Sequence, residues 1–233
     1  MDYELNLRAC LLLVGVAAFF GLSADVHSET RIEAAGKGYL FIFLESGRNT
    51  PDDKEAVAKM QRGHIDNFKR LFAERKLFAA GPLRDPARIK RGIVVVRAAS
   101  VTESLGYFQP DEYVREGYMT VNAIPARVNQ GLNTEAIDDS AVEEVRIIQI
   151  HRPGTKQQAG IEAAQRAFLQ ALLDQGKVGA WYTLESGPLA EIMFARTTDT
   201  AMLEAALSGY PGVDPNVANF SIWSQWLAKG VVR

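Results

Sequence analysis

Residues 39–44 read Tyr-Leu-Phe-Ile-Phe-Leu, an apolar run rich in aromatic side chains that is bounded by Gly38 and by Ser46-Gly47. A short run of this kind between turn-forming residues is typical of a buried β-strand, because a helix needs a longer stretch. We therefore expect a buried strand at the start of the folded part of the chain. The elements that follow it decide the fold class.

A long helix is expected from about Asp53 to Arg75. Apolar side chains recur there at intervals of three and four residues, which places them on one helical face. That face consists of Val57, Met60, His64, Phe68 and Leu71. His64 is the polar member of the stripe, so we expect its imidazole to face the sheet.

Three more strands and a second helix complete the first half of the chain. The strands are expected at residues 78–81, 92–96 and 118–126, from their apolar or alternating composition. The second helix is expected at 100–107, where a serine or threonine can cap its first turn. The order of elements is then β-α-β-β-α-β.

The same order is expected again in the second half. The predicted strands are 145–150, 179–184, 192–195 and 220–226, and the predicted helices are 157–175 and 200–207. Gly81-Pro82-Leu83 corresponds to Gly187-Pro188-Leu189 after a short extension, and Lys76-Leu77 to Lys177-Val178. We interpret this as an internal duplication of about 95 residues. The alternative is that any two α+β halves look alike at this level of detail.

A four-stranded sheet with both helices on one face leaves its other face uncovered, and that face is usually buried against a second sheet. Two tandem copies can supply both sheets. We therefore predict an α+β fold with two ferredoxin-like units at 38–128 and 142–228, joined by a polar linker at 129–141. The units would form a fused, pseudo-dimeric α/β barrel, with pockets between helices and sheet or between the sheets.

The N-terminal region differs from the rest of the chain. Residues 9–22 (ACLLLVGVAAFFGL) are too few to cross a bilayer comfortably but fit the core of a signal peptide. We expect residues 1–28 to direct export to the periplasm or exterior; an uncleaved anchor and a misassigned start are the alternatives. Cleavage would remove Cys10, the only cysteine, and would leave no disulfide and no stable membrane span.

Composition excludes some classes of function. The chain has 26 basic and 28 acidic residues and a net charge of −2, so it has no basic surplus for nucleic-acid binding. The sequence contains no phosphate-binding loop, no dinucleotide fingerprint and no metal-ligand cluster with recognisable spacing. Motifs therefore imply no cofactor and no metal, and the expected partner is a small molecule.

His64 and Asp111 are the candidate catalytic residues. Imidazole titrates near neutrality and can accept or donate a proton, and a carboxylate on one ring nitrogen would fix its tautomer. Asp111 lies in the loop before the fourth strand, which can reach the same end of the sheet as the first half of the helix. The alternative is a core histidine bonded to a backbone carbonyl, with Asp111 capping a short turn.

Residues 38–128 resemble the YCII-related family of dimeric α/β barrel proteins. The resemblance rests on the first strand, His64, the Leu77-to-Leu83 run, the strand at 93–96, and the segment from Asp111 to Gly117. The family usually has proline after the aspartate, where this chain has Glu112. The resemblance implies a His-Asp site at His64 and Asp111, and a relationship to cofactor-independent isomerases, dehydrohalogenases and monooxygenases.

The second half is expected to lack this pair. Gln165 takes the place of His64 on the corresponding helix, and Asp214 lies too close to the last strand to match Asp111. The first functional hypothesis is an enzyme that moves protons on a small carbonyl or phenolic substrate, as an isomerase or lyase. The second is a non-catalytic barrel that binds a small ligand or serves a structural role, as a monomer or a homodimer.

Overall fold

The structure is a computed structural model that describes residues 38–152, 161–212 and 220–233. Within these residues the chain forms eight strands and five helices. The strands are β1 (Tyr39–Ser46), β2 (Leu77–Pro82), β3 (Lys90–Arg97), β4 (Met119–Gln130), β5 (Asp138–His151), β6 (Ala180–Leu184), β7 (Leu189–Ala195) and β8 (Phe220–Lys229). The helices are α1 (Lys54–Ala73), α2 (Val101–Gly106), α3 (Glu112–Arg115), α4 (Ile161–Asp174) and α5 (Thr200–Leu207).

All eight strands belong to one antiparallel sheet with the order β2-β3-β1-β4-β6-β7-β5-β8. The first four strands in this order come from the first half of the chain and the last four from the second half. The two halves meet where β4 pairs with β6, with Ala126 opposite Leu184. The arrangement inside each half is the same, with the first and third strands of the half at its centre.

The two edge strands, β2 and β8, approach each other and nearly close the sheet into a barrel. Leu83 and Gln225 form an isolated antiparallel bridge, and the amide of Arg84 donates to the carbonyl of Ser224 at 2.9 Å. Gly81 makes this approach possible, because a Cβ atom at that position would collide with the carbonyl oxygen of Trp226. We call this line of contact the β2–β8 seam.

The core has one layer inside the barrel and one layer under the helices of each half. In β1, Phe41 and Phe43 pack inside the barrel, whereas Leu40, Ile42 and Leu44 pack under α1 and α2 with the helix-side core. Both faces of the central strand are therefore buried. This explains why its sequence is a continuous apolar run rather than an alternating one.

The α+β class and the barrel-like sheet are confirmed. Several strands are longer than expected, since β4 continues to Gln130 and β5 begins at Asp138, inside the stretch predicted as a linker. Helix α3 was not predicted. The predicted start of α4 at 157 and the predicted signal peptide at 1–28 lie outside the described residues. No helix in the described ranges is both long and apolar enough to cross a membrane.

Candidate functional site

His64 is positioned by helix α1. The helix begins at Asp53, whose side chain accepts hydrogen bonds from the amides of Glu55 and Ala56 at 2.9 and 3.2 Å. Its buried face carries Met60, His64, Asn67 and Leu71. This face packs against the sheet, as the three- and four-residue spacing predicted. The imidazole of His64 therefore lies between α1 and the strands.

Asp111 is positioned by the short helix α3, which it caps. Its Oδ1 accepts a hydrogen bond from the amide of Tyr113 at 3.0 Å, and its Oδ2 lies 2.6 Å from Nδ1 of His64. The carboxylate is completely buried. The sequence offered a capping role and a partnership with His64 as alternatives, and one carboxyl group performs both.

The contact between the two side chains assigns the proton on the imidazole. An ionised carboxylate can only accept a hydrogen bond, so Nδ1 of His64 must donate. Nε2 has no hydrogen-bond partner among the described residues, and this nitrogen remains available to a molecule next to the ring. An imidazole held in this way by a carboxylate can accept a proton at its other nitrogen.

Two aromatic rings hold the imidazole in place. The ring of Phe68 lies 4.4 Å from that of His64, and the ring of Tyr113 lies 5.7 Å away at an interplanar angle of 89°. Burial raises the pKa of Tyr113 above its usual value. The Tyr113 hydroxyl is thus kept protonated, and its ring acts as an apolar wall beside the dyad.

A cavity of about 920 Å³ adjoins His64. It extends along β2, with α1 on one side and β8 on the other. Its aromatic wall consists of Phe68, Phe72, Phe78 and Trp226. The volume is in the range of small-molecule sites. The lining combines apolar surface with a group of charged side chains.

The hairpin loop between β2 and β3 forms the charged part of the cavity. Residues 84–91 read Arg-Asp-Pro-Ala-Arg-Ile-Lys-Arg, with four basic residues and one acidic residue. Arg84, Arg88, Lys90 and Arg91 all line the cavity. Sequence reasoning missed this loop, although the local excess of basic residues was a visible signal.

The second half does not repeat the dyad in the part of the chain that the structure describes. Gln165 lies on α4 and its amide donates to the carbonyl of Pro211 at 2.9 Å. The other residue considered there, Asp214, lies outside the described residues. Gln165 therefore bonds to the backbone, whereas His64 bonds to a buried carboxylate.

The described residues contain no group of three or more histidine, cysteine, aspartate or glutamate side chains that could hold a metal ion. Within the site, Nε2 of His64 could bind the metal of a metal-containing cofactor. Asp111 would then orient that ligand from its other nitrogen, as carboxylates behind a ligating imidazole commonly do.

No protein-family model and no curated protein matches the sequence. Several solved structures match the chain. A proposed monooxygenase from Fusobacterium nucleatum subsp. nucleatum is 8% identical with a TM-score of 0.50, covering 84% of this chain and 97% of that one. At this identity the likeness supports the α+β barrel fold alone.

Two further structures match a similar share of this chain, but with lower TM-scores. A proposed monooxygenase from Lactobacillus acidophilus is 12% identical with a TM-score of 0.49, covering 84% of this chain and 99% of that one. A heme-binding protein from Thermus thermophilus is 12% identical with a TM-score of 0.46, covering 83% of this chain and 91% of that one.

Proposed function

We propose that the protein is a cofactor-independent enzyme that moves a proton on a small carbonyl or phenolic substrate, with His64 as general acid/base and Asp111 as its orienting carboxylate. The observation that carries this proposal is the 2.6 Å contact between Nδ1 of His64 and the buried Asp111, beside a cavity that His64 lines. The contact leaves the second ring nitrogen for a substrate.

The proposed reaction begins when Nε2 accepts a proton from a phenol or from a carbon next to a carbonyl. The electron pair moves onto the substrate oxygen, and the imidazolium is stabilised by the ionised Asp111. The imidazolium exchanges its proton with solvent, and return of a proton to a different carbon gives an isomer. In an elimination the electron pair returns from the oxygen to form a carbon–carbon double bond, the leaving group departs with the electrons of its own bond to carbon, and the imidazolium gives its proton to that group or to solvent. A positioned acid/base of this kind typically contributes a rate factor of roughly 10²–10⁴.

The resemblance of residues 38–128 to the YCII-related family supports the choice of these two residues. We further propose that the two halves of the chain arose by duplication, with the second copy retained to complete the barrel. The matching strand orders β2-β3-β1-β4 and β6-β7-β5-β8 support this proposal. The replacement of the dyad histidine by Gln165 fits a second copy that has kept its shape and lost the site.

Exchange of substrate hydrogens with solvent tests the function even while the overall reaction is unidentified. Both the isomerisation and the elimination begin with abstraction of a proton from the substrate. The protein is incubated in D₂O with a panel of small ketones, lactones, hydroxy acids and phenols, and deuterium incorporation at carbon is read by mass spectrometry. We expect the wild type to catalyse incorporation into at least one compound class, and His64→Ala to abolish it.

The matched control is Arg62→Ala, because Arg62 is exposed on the same helix and does not line the cavity. This variant should keep the wild-type exchange rate. Full exchange by a folded His64→Ala protein would refute the proposed role of the imidazole.

A second candidate function is non-catalytic binding of a flat apolar ligand. The size of the cavity and the presence of a dyad in only one of the two described halves favour it. Hemin is a useful probe, since an open imidazole nitrogen beside an apolar cavity could ligate its iron. A Soret shift that depends on His64, together with no deuterium exchange on any compound, would support binding over catalysis.

We also propose that the protein is exported. The apolar run at residues 9–22, with small residues after it, supports this. N-terminal sequencing of protein recovered from the periplasm or medium should give a chain that begins near residue 25 or 29. Recovery of the uncut chain from the cytoplasmic fraction would refute export.

A further inference from the structure

Two arginines on the β2–β3 hairpin line the cavity. The amide of Leu83 donates to the carbonyl of Arg91 at 2.9 Å, which brings Arg84, the next residue, close to Arg91 across the hairpin. Both side chains line the cavity, and both are exposed.

Each of the two arginines faces the region between α1 and β8. The guanidinium of Arg84 lies 5.6 Å from the ring centroid of Trp226, a member of the cavity wall. Arg91 acts electrostatically on Tyr113, the residue whose ring packs against His64. Arg91 thus lies near the end of the cavity that holds the dyad.

Lys90 also lines the cavity, but its ammonium packs against aromatic rings of the core inside the barrel. Its ammonium lies 4.8 Å from the ring of Phe43 and 5.3 Å from that of Trp223, at the mouth of the barrel interior. Successive side chains of a strand point to opposite faces, so Lys90 and Arg91 face different sides. The pairing between β1 and β3 is irregular here, with Gly92 opposite Leu44 and Lys90 opposite Glu45.

Neither arginine lies within 4.0 Å of a carboxylate oxygen among the residues the structure describes. Arg84 acts electrostatically on Glu144, but that carboxylate is already paired with Arg146 at 2.6 Å. The acidic groups that line the cavity are Asp85 and Asp139. Asp85 is buried and accepts hydrogen bonds from the amides of Ala87, Ile89 and Lys90, which fold the hairpin loop. Its carboxylate is therefore engaged by the loop backbone.

We propose that the cavity takes an organic anion, with a carboxylate or similar group bound by Arg84 and Arg91 and an apolar or aromatic body lying along Phe68, Phe72 and Phe78. Guanidinium groups match planar anions through paired hydrogen bonds, and the surrounding aromatic surface suits the body of the ligand. The inference rests on the proposed function in one respect. The part of the ligand that lies nearest to His64 and Asp111 is the part that reacts.

Two dyes with the same aromatic skeleton test the charge preference. The probes are 8-anilinonaphthalene-1-sulfonate, which is anionic, and N-phenyl-1-naphthylamine, which lacks the sulfonate. Fluorescence titration of the full chain at low salt should show tighter binding of the anionic dye, by about tenfold or more, since a hydrogen bond to a charged group contributes about that factor. Added salt should weaken binding of the anionic dye only.

The variant Arg84→Ala/Arg91→Ala should lose the preference for the anionic dye and keep the affinity for the neutral dye, while Arg62→Ala should change neither. Equal binding of the two dyes by the wild type, failure of both to bind, or an unchanged preference in the double variant would each overturn the proposal. His64→Ala should still bind the anionic dye although it loses deuterium exchange. The dye-binding test of the anion site and the exchange test of the proposed function can therefore fail independently.

Discussion

The imidazole of His64 and the carboxylate of Asp111 meet at 2.6 Å although 47 positions separate them in the sequence. Asp111 reaches this contact from the N-cap position of α3, where its other oxygen caps the helix. The orientation of the carboxylate is therefore set by the backbone before it meets the imidazole. A site built in this way keeps its geometry without help from a bound ligand.

Replacing Asp111 with asparagine should keep the fold and remove the base. The asparagine oxygen can still accept from the amide of Tyr113, so its NH₂ group would face His64. Nδ1 of His64 would then have to accept, which moves the proton to Nε2. Deuterium exchange should fall on the order of 10²-fold or more, measured under the same conditions as the wild type.

The control for this variant is Asp53→Asn, since Asp53 caps α1 in the same way that Asp111 caps α3. Asparagine is as good a helix cap as aspartate, so Asp53→Asn should leave both stability and exchange near wild type. Wild-type exchange in Asp111→Asn would show that the carboxylate does not orient the base.

Gly81 and Gly63 offer opposite outcomes for the same substitution. A methyl group at Gly81 would meet the backbone of Trp226, so Gly81→Ala should open the β2–β8 seam and destabilise the protein by about 1–3 kcal/mol.

Gly63 lies inside α1 with no atom within 4 Å of an added Cβ. Gly63→Ala should stabilise by about 0.5–1 kcal/mol, because alanine is the better helix former. Urea unfolding measures both changes, and similar values for the two variants would contradict the account of the seam.

Glu191 gives a pH-dependent prediction. Burial raises the pKa of its carboxyl group, although the group accepts hydrogen bonds from Trp181 at 2.8 Å and Thr183 at 2.7 Å. A raised pKa in the folded state means that the group's contribution to stability is complete at low pH and is lost as pH rises through that pKa. Glu191→Gln keeps an acceptor for both donors and removes the charge.

The stability of Glu191→Gln relative to wild type should therefore increase from about pH 4 to about pH 7, as urea unfolding at the two conditions would show. A relative stability that stays constant, or that falls as the pH rises, would contradict the assigned effect of burial.

Periodicity and element order predicted much of the fold and the dyad. The stripe on α1 placed His64 toward the sheet because helical spacing determines which residues share a face. The β-α-β-β-α-β order brought the loop of Asp111 back to the same end of the sheet. The orientation of His64 needed only local patterns, whereas the choice of Asp111 as its partner also needed the family resemblance.

Other parts depend on contacts between residues far apart in the sequence. The seam forms because Gly81 meets Trp226, and no local pattern relates these two positions. The presence of both Arg84 and Arg91 on the cavity depends on the register of the β2–β3 hairpin, in which the amide of Leu83 bonds to the carbonyl of Arg91. Helix α3 has four residues, which are too few to show a helical repeat. The first residues of β5, Asp138 to Ser140, are polar, and among them only Asp138 pairs with a residue of β8, Lys229.

The tautomer of His64 tests the central claim most directly, because it requires no substrate. Long-range ¹H–¹⁵N NMR distinguishes the two neutral imidazole forms, and a protein with three histidines allows assignment by the His64→Ala spectrum. The account predicts that neutral His64 carries its proton on Nδ1, and that Asp111→Asn moves it to Nε2. A wild-type ring protonated on Nε2 would contradict the account.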